Sequence, residues 1–146
     1  MAQTGVRVDP YRSFNFLVEL DGIAHASFSE CSGLGSSTEV IESREGGDNT
    51  VTRKLPGKTS FTDISLKWGS TSSTELWQWR QAIVDGDVQR KNGSIVVYDL
   101  SNRAEVARWN FHRAWPTRWE GSALNARGAD LLVETLVLAH EGLVRA

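Results

Sequence analysis

RWNFHRAWPTRWEGSALNARG, from Arg108 to Gly128, is followed within a few residues by ETLVLAHEGL, Glu134 to Leu143. Three of the six tryptophans fall in the first stretch, interleaved with Arg108, Arg113, Arg118 and Arg127. It holds no metal-ligand spacing, no nucleophile beside a base and no phosphate cradle. Trp and Arg in this density build contact surfaces rather than active sites. On either side of its centre, Glu105 to Ala114 and Asp130 to His140 read as strands. On the second of these, Leu132, Leu136 and Leu138 fall on one face and Leu131, Val133, Val137 and Ala139 on the other, so both faces call for cover.

The rest of the chain extends this β pattern. Phe14, Phe16, Val18 and Leu20 alternate with Asn15, Leu17 and Glu19, a strand with one apolar face. Asp21-Gly22 marks a tight turn, and Ala24 to Glu30 is expected to return antiparallel, with Phe28 inward and His25, Ser27 and Ser29 outward. Thr62, Ile64, Leu66 and Trp68 against Asp63, Ser65 and Lys67 give the cleanest alternation. Ser72 with Glu75 forms a capping box, Leu76, Trp79 and Ile83 follow at helical spacing, and Gly86 stops the helix after about three turns. Ser94 to Leu100 adds a strand. About seven or eight short strands with one helix predict a mainly β chain folded as an antiparallel sandwich or barrel.

Thr38 to Arg44 and Thr50 to Leu55 also read as strands, around the loop Glu45-Gly46-Gly47-Asp48-Asn49. They contain little apolar material. A pair that buries so little of itself projects as a solvated arm or finds its burial on another chain. The arm is the favoured reading, over residues 40–58.

Local motifs do not point to chemistry. Leu55-Pro56-Gly57-Lys58-Thr59 resembles the end of a phosphate-binding loop, but Thr52 stands where the pattern needs glycine, and strand-like residues follow in place of a helix. Ser32-Gly33-Leu34-Gly35-Ser36 lacks a third glycine and is a bend. Asn92-Gly93-Ser94 reads as an Asn-Gly turn rather than a glycosylation acceptor. His25, His112 and His140 have no ligand partners nearby in sequence, and Glu134 and Glu141 lie on opposite faces of a strand. No catalytic, cofactor-binding or metal-binding set is expected, and no enzyme activity.

Composition agrees. A chain of 146 residues suits one domain, which would bury about 68 to 70% of the surface its unfolded form exposes. No apolar run approaches the roughly 20 residues of a membrane-spanning helix. The N-terminus MAQTGVRVDPYRS, which includes the N-terminal segment 1–9, lacks the charged start and apolar stretch of a secretory signal, so synthesis in the cytoplasm is expected. Cys31 is the only cysteine, a small packing residue that leaves no internal disulfide. The net charge is −2 with both signs mixed along the chain, so direct nucleic-acid binding is not expected.

Six blocks of sequence carry a family resemblance: DPYRSFNFLVELDGI (Asp9 to Ile23), FSECSGL (Phe28 to Leu34), EVIESREGGD (Glu39 to Asp48), RKLPGKTSF (Arg53 to Phe61), LWQWR (Leu76 to Arg80) and the Trp-rich run. In this order, over roughly residues 9–143, the chain resembles the tail tube, or inner tube, proteins of contractile phage tails and phage-tail-like contractile injection systems. The resemblance implies a single tail-tube domain whose copies form hexameric rings, with neighbouring sheets joined into one tube lining and the rings stacked inside a sheath. It further implies sheath, baseplate or spike and cap proteins as partners, cargo in the lumen, and incorporation into a particle that is released. The arm would lie between rings. Arg44, Glu45, Asp48, Arg53, Lys54 and Lys58 are then its mixed-charge registering set, with Leu55 and Pro56 beside them and Gly46, Gly47 and Gly57 as turning points. Arg108, Trp115 and Trp119 are expected at subunit contacts. Polar strand faces such as Ser27, Ser29, Asp63, Ser65 and Lys67 line the lumen or the outer wall. Val137 and Trp68 depart from the family pattern, each in a strand where relatives carry a charged or basic residue. Two other roles fit less well: a tube-initiating or spike-adapting relative of the same fold, and a monomeric barrel with a closed apolar ligand pocket.

Overall fold

Ile64, Leu66 and Trp68 alternate with Ser65 and Lys67 along β5 (Ile64–Gly69), and the three apolar side chains are at most 2% exposed. This strand is one wall of the core. The computed structural model describes residues 16–21, 23, 28–44, 51–70, 72–99, 104–128 and 131–146. Within them lie β1 (Phe16–Leu20), β2 (Glu30–Ser32), β3 (Ser36–Ser43), β4 (Arg53–Phe61), the helix α1 (Glu75–Val84), β6 (Lys91–Tyr98), β7 (Glu105–Gly121), β8 (Val133–Ala139) and β9 (Gly142–Arg145). The described residues thus form nine strands with β5, more than the seven or eight expected, because Gly142–Arg145 adds a final one.

Seven strands join in the order β1-β6-β7-β8-β5-β2, with β9 paired to β7. Every pairing is antiparallel. β7 makes this possible by serving two layers. Its first part, Glu105 to Ala114, runs beside β6, and Trp109 to His112 also pairs with β9. From Trp115 to Gly121 it pairs with β8. Arg113, next to the end of the first part, takes φ 54°, the left-handed region that side chains seldom adopt. Asn92 Oδ1 accepts the Arg113 N–H at 3.0 Å, and Glu141 takes its guanidinium at 2.6 Å.

Val18 and Leu20 from β1, Ile95, Phe111, Leu136 and Leu138, together with β5, fill the space between the layers. Burying each large aliphatic or aromatic side chain contributes roughly 1.5–3 kcal/mol. α1 closes the core with Leu76 and Trp79, and Trp79 Nε1 donates to Gln89 O at 2.7 Å. Its Ile83 is half-buried and Gly86 takes φ 88° beyond the last turn, as the spacing requires.

Several local expectations are corrected. β1 pairs with β6, and Ser29 and Glu30, expected to return along β1, run along β5 instead; residues 24–27 lie outside the described residues. On β1 the buried side chains are Val18 and Leu20, while Glu19 on its other face is exposed. Phe28 does pack on the core; His25 and Ser27 lie outside the described residues. The capping box is not formed, because the helix begins two residues past its expected start, with Thr74 as N-cap and no side-chain cap bond. Asn92-Gly93 is a bulge inside β6 rather than a turn, where Phe111 crosses so closely that a Cβ on Gly93 would stand 2.4 Å from its Cζ. β8 is covered on its Leu136 and Leu138 face and half-buried on the other, and Leu131 and Leu132 precede it, exposed.

Candidate assembly surfaces

The arm departs most from the rest of the chain. β3 and β4 pair with each other and, among the described residues, with no other strand. All of β3 except Ser43 is exposed, as is all of β4 except Gly57 and Phe61. β-Branched and hydroxyl residues hold the ribbon extended. The Thr38 and Thr59 hydroxyls meet at 2.9 Å and those of Ser37 and Ser60 at 3.3 Å, and Glu42 stands opposite Lys54. The ribbon begins earlier and ends later than residues 40–58, so Leu55 to Thr59 is strand, which excludes a phosphate loop. Gly57 is likewise no turning point. It sits inside β4, where a Cβ would approach the Ile41 side chain to 3.0 Å. Pro56, which has no N–H to give a ladder, lies near the shift in register between Thr38 and Val40. Arg44 is exposed just past β3, and Lys54, Leu55 and Lys58 are exposed on β4 with Arg53; Glu45, Gly46, Gly47 and Asp48 lie outside the described residues.

The root of the arm is tied to the core. Gly33 at φ 91° brings the chain so close to β5 that a Cβ there would stand 1.9 Å from Asp63 O. Thr62 N donates to Gly35 O at 3.0 Å. His140 spans from β8, with Nε2 2.9 Å from Thr62 O and Nδ1 3.1 Å from Gly142 O. No spacing of residues signals this tie, because its partners are backbone atoms far apart in the chain.

The other expected contact residues are engaged within their own chain. Arg108 donates to Glu105 Oε1 through Nη2 at 2.7 Å and Nε at 3.1 Å, and to Glu19 at 3.3 Å. The hydrogen bond from Arg108 holds the Glu105 carboxyl below its ordinary range, and the same bond raises the guanidinium's own value. Trp115 is half-buried, and Trp119 packs on the core with Trp77 edge-on at 4.7 Å. Among the described residues the Trp119 Nε1–H has no acceptor. Trp68 is core, its Nε1 on Glu134 at 2.9 Å. Sequence reasoning missed the exposed cluster in which Glu141 joins Arg90 at 3.3 Å to Arg113.

Chemistry has little to work with among the described residues. No group of three or more His, Cys, Asp or Glu could hold a metal ion there. Burial, then the Glu30 charge, pushes the Cys31 thiol up to about 11. A depression of about 330 Å³ beside the helix has polar walls of Glu75, Gln78, Gln89 and Lys91. No helix of the described residues is long and apolar enough to cross a membrane.

The fold has close counterparts. A chain in the six-fold symmetrised baseplate of the anti-feeding prophage matches at a TM-score of 0.85 and 25% identity, over 96% of this chain and 97% of that one. A chain in the sheath–tube complex of PVC, an extracellular contractile injection system, matches at 0.83 and 27%, over 94% and 91%. Hcp1 of Flavobacterium johnsoniae shares the fold at 0.55 and 18% identity, over 89% and 94%. No curated protein matches the chain. The profile of the family described as T4-like virus tail tube protein gp19 matches residues 12–144, and with it the chain belongs to that family of contractile tail tube proteins.

Proposed function

We propose that this chain is the main inner-tube subunit of a contractile injection system or phage tail, and that its copies form hexameric rings stacked into a hollow tube. The observation that carries the reading is a core joined to an arm that is exposed along nearly all of both strands and, among the described residues, paired only with itself. A two-stranded ribbon of this kind is marginal alone, so its order is gained against other chains. The six-fold symmetry of the related baseplate supports the ring number, and the PVC relative's place in a sheath–tube complex supports a sheath as partner.

Head-to-tail contacts need two different surfaces for each ring neighbour and two more for stacking. The arm, with Arg44, Arg53, Lys54, Leu55, Pro56 and Lys58 and the tip from Glu45 to Asp48, serves stacking. Arg108, Trp115 and Trp119 support their strands from within and serve contact only through their exposed portions. The work is mechanical: a shortening sheath drives the tube through a target envelope, and cargo travels in the lumen. Baseplate, spike and cap proteins complete the particle, which is built in the cytoplasm and released.

Electron microscopy of the purified protein over a range of concentrations, beside light scattering, tests this. Rings or stacked tubes with six-fold end views are the expected result. A monomer at every concentration overturns self-assembly as the chain's main property.

A further inference from the structure

Among the described residues Arg113 alone, glycines apart, has a positive φ, at 54°. Glycine and asparagine take that conformation at little cost, and a long side chain does not. The backbone of the bend does not call for arginine. It is held by Asn92 Oδ1, which accepts the Arg113 N–H at 3.0 Å, a bond that any residue except proline could give. The guanidinium donates through Nε to Glu141 at 2.6 Å, and the two side chains are 59% and 53% exposed. Ion pairs so open to water add little to the stability of a subunit. The strain is therefore not offset within the chain, and strained residues of this kind gather where a protein holds something else.

Arg90 meets the other oxygen of the same carboxylate at 3.3 Å. Two guanidiniums on one carboxylate leave a net positive charge, and among the described residues neither Nη group of Arg113 has a partner. The planar guanidinium matches a carboxylate in shape and charge. Glu141 directly follows His140, whose ring meets Thr62 O at the root of the arm, so the cluster borders the surface assigned above to stacking. The chain itself has carboxylates to offer, with 18 acidic against 16 basic residues. Resting on the tube reading above, we infer that Arg113 and Arg90 form a fork that receives a carboxylate from a second copy of this chain. The incoming group balances the cluster, two charges against two. The strained bend persists because it presents the fork, and a contact between unlike charges fixes which surface of the neighbour is accepted.

Arg113→Gly in the full chain separates the two demands on this position, since glycine suits the bend and keeps the N–H for Asn92. The thermal midpoint of the subunit should stay within a few degrees or rise, while the concentration needed for assembly rises by roughly tenfold. Alongside, Arg113→Lys places an amine in the fork. Mixed with unmodified nitrogen-15-labelled copies, assembled and treated with a carbodiimide, it should form an amide with a carboxylate of a labelled copy, mapped by mass spectrometry. Assembly of Arg113→Gly at the ordinary concentration overturns the fork, as does a larger fall in its thermal midpoint, which would show that the arginine serves the subunit. Amides to Glu141 of the same chain alone also overturn it, and all three results leave the tube reading intact. Absence of any assembly from the unmodified chain overturns the tube reading and the fork with it.

Discussion

Cys31 lies on β2 opposite Leu66, facing the core, where the thiolate would be poorly solvated. Its value is raised, so the folded chain holds the proton more tightly than the unfolded chain does. The contribution to stability is complete below the ordinary thiol value of 9.0 and is lost as pH rises through about 11. Alkylation by iodoacetamide should therefore be slow at pH 8 in the folded protein, rise steeply toward pH 11, and be fast at pH 8 in urea. Gly93 sets a second expectation. An added Cβ meets Phe111 at 2.4 Å and Glu19 O at 2.6 Å, both in paired strands, so Gly93→Ala should cost about 1–3 kcal/mol, read from the urea midpoint. The lone cysteine as packing and the Ile64, Leu66 and Trp68 stripe as core were legible in the sequence, because each follows from a side chain's own polarity and spacing. The close approach at Gly93 was not. It comes from Phe111, 18 positions on, and Asn-Gly is a turn signal only while its non-local neighbours are ignored.

Among the elements, the arm was legible through what it lacks. Two stretches of strand-forming residues without enough apolar material to fill a core could only project or dock. Its ends were misplaced because Leu-Pro-Gly-Lys carries two residues that usually break strands, and both are tolerated in a ribbon with free edges. The pairing of β1 was hidden for the opposite reason: Asp-Gly is a local turn signal, whereas the partner strand β6 lies far along the chain. Because Gly35 O and Thr62 N are already bonded at 3.0 Å, the arm can be cut at its root without disturbing the core. Replacing residues 37–60 by Asn-Gly should leave the thermal midpoint within a few degrees and remove tubes from electron micrographs. Unfolding of that variant would show that the arm serves the core.

For the molecule as a whole, order of elements, fold class and family were readable from the chain, since short alternating strands and the six sequence blocks act together over nearly its full length. The contact surfaces were only partly readable. Arg108 and Trp119 have the chemistry of interface residues, yet the fold gives them partners in their own chain, which no spacing reveals. If mixed charges on the arm register one ring on the next, stacking should weaken with salt while the folded subunit does not. Raising ionic strength from about 0.05 to 0.5 M, where screening shortens to a few ångströms, should shift sedimentation from tubes toward rings or monomers at unchanged circular dichroism. A salt-independent profile would place the stacking energy in the apolar faces alone.

β7 runs unbroken for 17 residues through both layers. A thrust received by one layer thus reaches the other along covalent bonds, without crossing a packed interface that can slip. The two layers are joined as one bent beam, with breaks in its regularity at the left-handed Arg113 and at the step from Pro116 to Arg118. Under axial load the subunit should flex at these joints before its side-chain packing yields.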